Sequence, residues 1–138
     1  MERSLVLVKP DATERGLTGA ILNRLEKSGL KLVALKMLHM DRKLAESHYA
    51  IHKEKPFFEN LVTYITSSPI VAAVFQGKDA VEVIRKTMGA TDPARADAGT
   101  IRADYGIDIE KNSTHGSDSR ENAAKEIDLF FNSSEIFG

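Results

Sequence analysis

In the run Asn112-Ser113-Thr114-His115-Gly116-Ser117-Asp118-Ser119, a histidine stands beside a glycine and several small hydroxyl residues. Imidazole can act as a nucleophile, and glycine lets backbone approach a ligand closely. Asp118 reads as a helix N-cap, with Glu121 three residues on completing a capping box. Behind that cap, Ala123, Ala124, Ile127, Phe130 and Phe131 recur at helical spacing. An imidazole just outside a helix N-terminus is placed to meet an anion such as phosphate. A lone histidine in a polar loop is more often a hydrogen-bonded bystander than a catalyst. What raises this one is Glu126, flanked on its own helix face by Ala123 and Phe130. A carboxylate with apolar neighbours points toward the core and needs a partner there. His115 is the natural candidate, because a carboxylate fixes the orientation and tautomer of a ring. The two meet only if the His115 segment folds back along the helix, since Glu126 lies about 12 Å down the axis from Asp118.

Other residues suit the same chemistry. Lys9 follows an apolar run and precedes Pro10-Asp11, so it emerges at a strand end, where ligands commonly meet α/β sheets. Arg85 flanks the stripe Val81, Ile84, Met88. It is either a surface arginine lying over apolar neighbours or, with Arg102, a guanidinium clamp of the kind phosphates favour. Thr91 adds a hydroxyl. The segment from Ala90 to Thr114 is polar and weakly periodic, and loops beyond about 12–15 residues are usually functional or disordered. It ends at His115 and contains Arg95 and Arg102, which favours a loop that helps build an anion site. By pattern alone Tyr49, Phe57 and Phe58 are core aromatics.

The elements that must position these groups are marked by punctuation. Leu5-Val6-Leu7-Val8 reads as a central strand. Leu17, Ile21 and Leu25 form a helical stripe closed by Lys27 and Gly29. Leu30 to Met40 reads as a long strand, Asp41 caps a short helix carrying Leu44 and His48, and Pro56 opens another with Phe58, Leu61, Val62 and Ile65 on one face. Ile70 to Phe75 is a third strand, and Val81 to Met88 a helix closed by Gly89. The last strand comes near His115. The order β-α-β, a helical insertion, then β-α-β-α suits an α/β (α+β) fold of the ferredoxin-like split βαβ type. Helices are expected over one face of a four-stranded antiparallel sheet, the other face carrying the inserted elements or an oligomer partner.

Composition narrows the function classes. At 138 residues the chain reads as a single domain, 1–138, with the 42% hydrophobic and 28% charged content of a soluble globular protein. A net charge of −1 and a pI near 6.4 provide no bulk field for nucleic acid or membrane. Zero cysteines exclude disulfides and thiolate chemistry and suit a cytoplasmic setting. Met1-Glu2-Arg3-Ser4 runs straight into a strand, so no secretory signal is expected. The charge-free stretch from Asn60 to Gly77 is broken by Ser67-Ser68-Pro69, which argues against a membrane span. There is no G-x-x-x-x-G-K-[ST] or G-x-G-x-x-G pattern, so phosphate must be held by another design. His39, His48 and His52 lack ligand spacing, and no zinc held by protein side chains is expected.

Asn112-x-x-His115-Gly116-Ser117-Asp118 resembles the active-site signature of nucleoside diphosphate kinases. The likeness extends through Val8-Lys9-Pro10-Asp11, His48-Tyr49, Pro56-Phe57-Phe58, Arg85, Thr91-Asp92-Pro93 and Gly99-Thr100-Ile101-Arg102. It implies the same ferredoxin-like fold and a ping-pong transfer of the γ-phosphate of a nucleoside triphosphate, typically ATP, to a nucleoside diphosphate through a phosphohistidine at His115. By that resemblance Glu126 and Ser117 orient the ring, and Tyr49 and Lys9 assist transfer. Lys9, Arg85, Thr91 and Arg102 hold phosphates, Asn112 and Lys9 contact the ribose, and Phe57, Leu61 and Ile109 line the base slot. Such a slot tolerates every base, because every base offers a face for stacking. Mg2+ is expected to arrive with the nucleotide phosphates, and the protein to form a homo-oligomer, tetramer or hexamer. The long loop is expected to serve subunit contacts as well as the site. Ala12 and Ala103 stand where many relatives have glycine, and the chain stops at Gly138 without a longer tail that joins subunit contacts in some relatives. The rival readings are a non-catalytic nucleotide-binding or regulatory module and a nucleic-acid binder. The intact His115, Glu126, Lys9 and arginine set speaks against the first, the near-zero charge against the second.

Overall fold

A computed structural model describes residues 1–138. In chain order the elements are β1 (Glu2–Val8), α1 (Pro10–Glu14), α2 (Thr18–Lys27), β2 (Lys31–Leu38), α3 (Arg42–His48), α4 (Phe58–Ile65), β3 (Ile70–Gly77), α5 (Ala80–Met88), α6 (Ile101–Tyr105), β4 (Thr114–Gly116) and α7 (Arg120–Phe130). The strands form one antiparallel sheet in the order β2-β3-β1-β4. This is the split βαβ arrangement expected from the element order.

Helices cover both faces of the sheet, and of the two occupants expected for the second face it is the inserted elements that take it. Alternate residues of a strand point to opposite faces. Leu5 and Leu7 of β1, with Ile70, Ala72 and Val74 of β3, pack against Ala45 of α3, Val62 and Ile65 of α4, and Ile127 and Phe130 of α7. Val6, Val8, Val71, Ala73 and Phe75 pack the other way, against α1, α2, α5 and α6. That is why β1 and β3 read as unbroken apolar runs. The inserted α3 and α4 thus share a face with α7, and the site lies where that insertion meets β4 and α7.

Local signals were largely obeyed. Asp41 caps α3, its Oδ1 accepting from Leu44 N at 2.8 Å. Gly89 closes α5 at φ +86, and a Cβ there would stand 2.5 Å from Thr100 Oγ1, so the loop's approach to α5 also requires glycine. The cap of α7 falls one residue later than expected. Ser119 Oγ accepts from Asn122 N at 3.1 Å, and Asp118 instead accepts from the Asn122 side-chain amide at 2.6 Å. Both residue types cap well, so the pattern alone did not choose. The segment before His115 holds more structure than a loop, with a 3₁₀ turn at Pro93–Arg95 and the helix α6, whose cap Thr100 accepts from Ala103 N at 3.3 Å. Short helices without a stripe leave little periodic trace. Ala12 and Ala103 lie inside α1 and α6, and neither has positive φ.

Candidate active site

His115 sits in the middle of β4, opposite Leu7 of the central strand β1. Because α7 packs back over β1, the segment does fold along the helix as the pairing required. His115 Nε2 lies 2.8 Å from Glu126 Oε1, and Ser117 donates its hydroxyl to the same oxygen at 2.9 Å. Glu126 stands seven residues past the Ser119 cap, roughly 10 Å along the axis. The ring therefore rests against the body of α7 and not its N-terminus, contrary to the expectation from the capped helix. Burial raises the Glu126 carboxyl, but the hydrogen bond from His115, that ring's charge, His48 and Ser117 outweigh it and hold it below the usual range. An ionised carboxylate can only accept, so Nε2 carries the ring proton. In a neutral ring the free lone pair is then on Nδ1.

Gly116 serves packing here. A Cβ at this position would fall 2.7 Å from Met88 Cε and 3.0 Å from Ile84 Cγ2, so β4 lies close on α5.

Lys9 leaves the end of β1 as expected, but it is buried. Its Nζ donates to the Glu110 carbonyl at 2.7 Å and to Asn112 Oδ1 at 3.0 Å. Asn112 in turn donates to the carbonyls of Thr91 at 2.9 Å and Ile109 at 3.2 Å. Thr91 thus enters this network through its carbonyl. Burial pushes the Lys9 ammonium down to about 8, with Asp11 opposing and Arg102 reinforcing the shift. Ser113, between Asn112 and β4, is held at φ +75, and its carbonyl accepts from Lys9 N at 2.9 Å. A non-glycine residue in that region costs about 1–3 kcal/mol and persists only where its surroundings demand it.

Arg102 is buried, donating Nη1 to the Gly89 carbonyl at 3.1 Å and Nη2 to the Thr114 carbonyl at 2.8 Å. Its Nε has no partner. Burial, then the charge of Arg85, lower it to about 10, so the two guanidinium groups are close enough to repel. Arg85 lines a cleft of about 500 Å³ beside α5, together with Arg95 and Thr100. At the end of α3, Tyr49 is half-buried against His48, and burial pushes its hydroxyl up. Phe57 stands 43% exposed before α4, with Leu61 one turn on, and Ile109 is 64% exposed on the loop. The Phe57 ring lies 5.4 Å from that of His52, and the Lys55 ammonium stands 6.0 Å from its centroid. Phe58 packs with the core.

Sequence reasoning missed three neighbours. His48, carried by α3, sets its ring edge-on to His115 with centroids 4.8 Å apart, and neither of its nitrogens has a hydrogen-bond partner. Tyr64 of α4 donates its hydroxyl to Asp11, accepts from Asp11 N at 2.9 Å, and lies 5.6 Å beneath the Lys9 ammonium. Asp11 also pairs with Arg15 at 3.2 Å. Tyr64 and Asp11 are 53 residues apart, and no local spacing joins them.

Comparisons with known proteins match nearly the whole chain to one family. A family model described as "Nucleoside diphosphate kinase" matches residues 2–136. A nucleoside diphosphate kinase of Dehalococcoides mccartyi is 64% identical over 136 residues, covering 99% of this chain and 96% of that protein. One from Archaeoglobus fulgidus is 56% identical, with 99% and 90% covered. Among solved structures, a halophilic nucleoside diphosphate kinase from Halobacterium salinarum in complex with CDP has a TM-score of 0.96 at 49% identity, covering 99% of this chain and 91% of that one. The Aquifex aeolicus nucleoside diphosphate kinase has a TM-score of 0.95 at 43% identity, with 98% of each chain covered.

Proposed function

The chain belongs to the nucleoside diphosphate kinase family, and from that premise we propose how its own residues carry phosphoryl transfer between nucleotides. His115 is the nucleophile. Its Nδ1 lone pair attacks the γ-phosphorus of a nucleoside triphosphate, the bond to the leaving diphosphate breaks, and the phosphoryl group stays on the ring. A second nucleoside diphosphate then takes it by the reverse step. The observation that carries this reading is the 2.8 Å contact between His115 Nε2 and Glu126 Oε1, with Ser117 on the same oxygen. It fixes the tautomer, and it supplies a counter-charge when the phosphorylated ring becomes cationic.

Lys9, Arg85 and Arg102 neutralise charge on the transferring group and the leaving diphosphate, and preorganisation supports the assignment of Lys9 and Arg102. Each is already held by carbonyls or an amide and need not be ordered on binding. Thr91 and Tyr49 act as hydroxyl contacts to phosphate. Asn112 and Lys9 face the ribose, and Phe57, Leu61 and Ile109 enclose the base. Because the charged contacts fall on phosphate and sugar, base selectivity is broad. The relative solved with CDP is consistent with pyrimidine diphosphates as acceptors.

Magnesium fits this site as a passenger of the nucleotide. Glu126 is committed to His115 and Ser117, and Asp11 to Arg15 and Tyr64, so neither carboxylate is free to hold the ion, and its oxygens come from the nucleotide. When bound it screens phosphate charge, and Lys9, Arg85 and Arg102 would hold the phosphates that carry it.

We read residues 1–138 as one domain working in the cytoplasm as a homo-oligomer, tetramer or hexamer. No helix is long and apolar enough to cross a membrane. The edge strand β2 exposes Leu35 and Met37, which suits a covering subunit.

The test is the intact mass of the protein after incubation with ATP and magnesium, before and after GDP. The expected result is one acid-labile phosphoryl group, discharged by GDP and absent in His115→Ala. Unchanged mass in the wild-type protein, with ATP binding demonstrated separately, contradicts the relay.

A further inference from the structure

Histidine 48 is the unexplained residue of this molecule. Its ring is enclosed by Tyr49, His115 and Phe130, with centroids at 4.7, 4.8 and 5.6 Å, and both nitrogens are shut away from solvent without a hydrogen-bond partner. An unpaired buried polar group costs about 1–3 kcal/mol, and a phenylalanine would fill the same space without that cost. Phosphoryl transfer as described gives this ring no task.

Its position suggests one. One ligand atom each from His48, His115 and Glu126 lie within 4.8 Å of one another, brought together from α3, β4 and α7. We propose that His48, His115 and Glu126 form an inhibitory binding site for a borderline-soft divalent cation such as Zn2+, which disables the nucleophile when occupied. Two imidazoles and a carboxylate are a donor set for zinc, with the fourth tetrahedral position open to water. Magnesium, which demands oxygen ligands, does not compete for it. At bond lengths near 2.1 Å, ligand atoms around a tetrahedral ion stand about 3.4 Å apart, so the widest pair must close by about 1.4 Å.

The inhibition follows from ring chemistry. When zinc takes the Nε2 lone pair of His115, the ring proton moves from Nε2 to Nδ1, and Glu126 exchanges its hydrogen bond for a metal bond. Nδ1 then has no lone pair with which to attack phosphorus. Coordination through Nδ1 blocks attack directly. The inhibitory consequence rests on His115 being the nucleophile, whereas the binding does not.

Binding is tested without nucleotide. Zn2+ alone is titrated into the protein by calorimetry, and Co2+ is used as an absorbing substitute whose intense visible bands report four-coordinate nitrogen–oxygen ligation. The expected result is one ion per chain, weakened at least roughly tenfold in His48→Phe, as for lost support at other metal sites. Should that variant fail to fold, imidazole signals of the wild-type protein decide the matter. Zinc should shift His48 and His115 together while His39 and His52 stay in place. Equal affinity of wild-type and His48→Phe for Zn2+, or shifts confined to His39 or His52, overturns the site. Zinc-loaded wild-type protein should resist phosphorylation by ATP and magnesium and recover on adding a chelator. Full phosphorylation with the site occupied overturns the inhibition while leaving the kinase reading intact.

Discussion

Replacing Lys9 with methionine should make the empty protein no less stable near neutral pH, although it removes a residue of the site. The ammonium is held down to about 8 from 10.5, chiefly by burial. At 1.36 kcal/mol per unit, the folded state disfavours the charged form by about 3 kcal/mol. Methionine removes that cost but leaves the Glu110 carbonyl and Asn112 Oδ1 without their donor, a loss of about 1–3 kcal/mol. The net effect at about pH 7 is therefore stabilisation of about 0–2 kcal/mol. The pH dependence is the sharper signature. The folded pKa lies below the unfolded one, so between about 8 and 10.5 the unfolded chain binds more protons and wild-type stability rises with pH. The burden is fully present below about 8 and is relieved above it. Urea denaturation of both proteins at about pH 7 and about pH 10 isolates this term, since other groups titrate alike in both. The advantage of Lys9→Met should fall by about 2.5 kcal/mol across that interval and change sign. A variant that loses more than about 2 kcal/mol at neutral pH, or a difference that does not move with pH, would show that the Lys9 ammonium is not a strained, preorganised cation.

Other substitutions separate the roles. Glu126→Gln keeps the shape but can present an amide N–H to Nε2 and so favour the wrong tautomer. The phosphorylation rate in a rapid-quench assay should drop by about 10²–10⁴, and a loss under threefold would reject the tautomer role. Arg102→Ala should weaken ADP binding in calorimetry far more than adenosine binding, because the role proposed for its guanidinium is to hold phosphate, and equal losses would contradict that role. Phe57→Ala should cost about 1–3 kcal/mol of nucleotide affinity regardless of base, whereas loss for purines alone would argue for edge-specific contacts. Ser117→Ala removes one donor from Glu126 Oε1 and should cost about 1 kcal/mol of folding stability while raising the carboxyl pKa, read by side-chain NMR. An unmoved titration would mean that the hydroxyl does not support the carboxylate.

What was legible in the chain was whatever repeats locally or is brought together by one element. The apolar runs of β1 and β3, the stripes of α2, α5 and α7 and the Asp41 cap all report on nearest neighbours, and they produced the right sheet. Glu126 was legible because a carboxylate between Ala123 and Phe130 has only the core to face. The occupant of the second sheet face was left between the inserted elements and a partner, since apolar strand residues do not say which helix meets them. Helix α6 is too short to show a period, so its segment looked like loop. Long-range polar networks were hidden for the same reason. Tyr64 and Asp11 come from different helices, and His48 became a neighbour of His115 only when the inserted helices docked on the face shared with α7. Lys9 was found by position, but its burial was not, because a lysine at a strand end is ordinarily solvated.

The most direct test of the site is the ring nitrogen that carries phosphorus. Long-range ¹H–¹⁵N spectra of the histidine-labelled phosphoprotein, with ³¹P coupling, distinguish the two isomers. Phosphorus on Nδ1 of His115, with Nε2 still protonated toward Glu126, is the expected result. Phosphorus on Nε2, or on any other histidine, would mean that the Glu126 contact does not set the nucleophile.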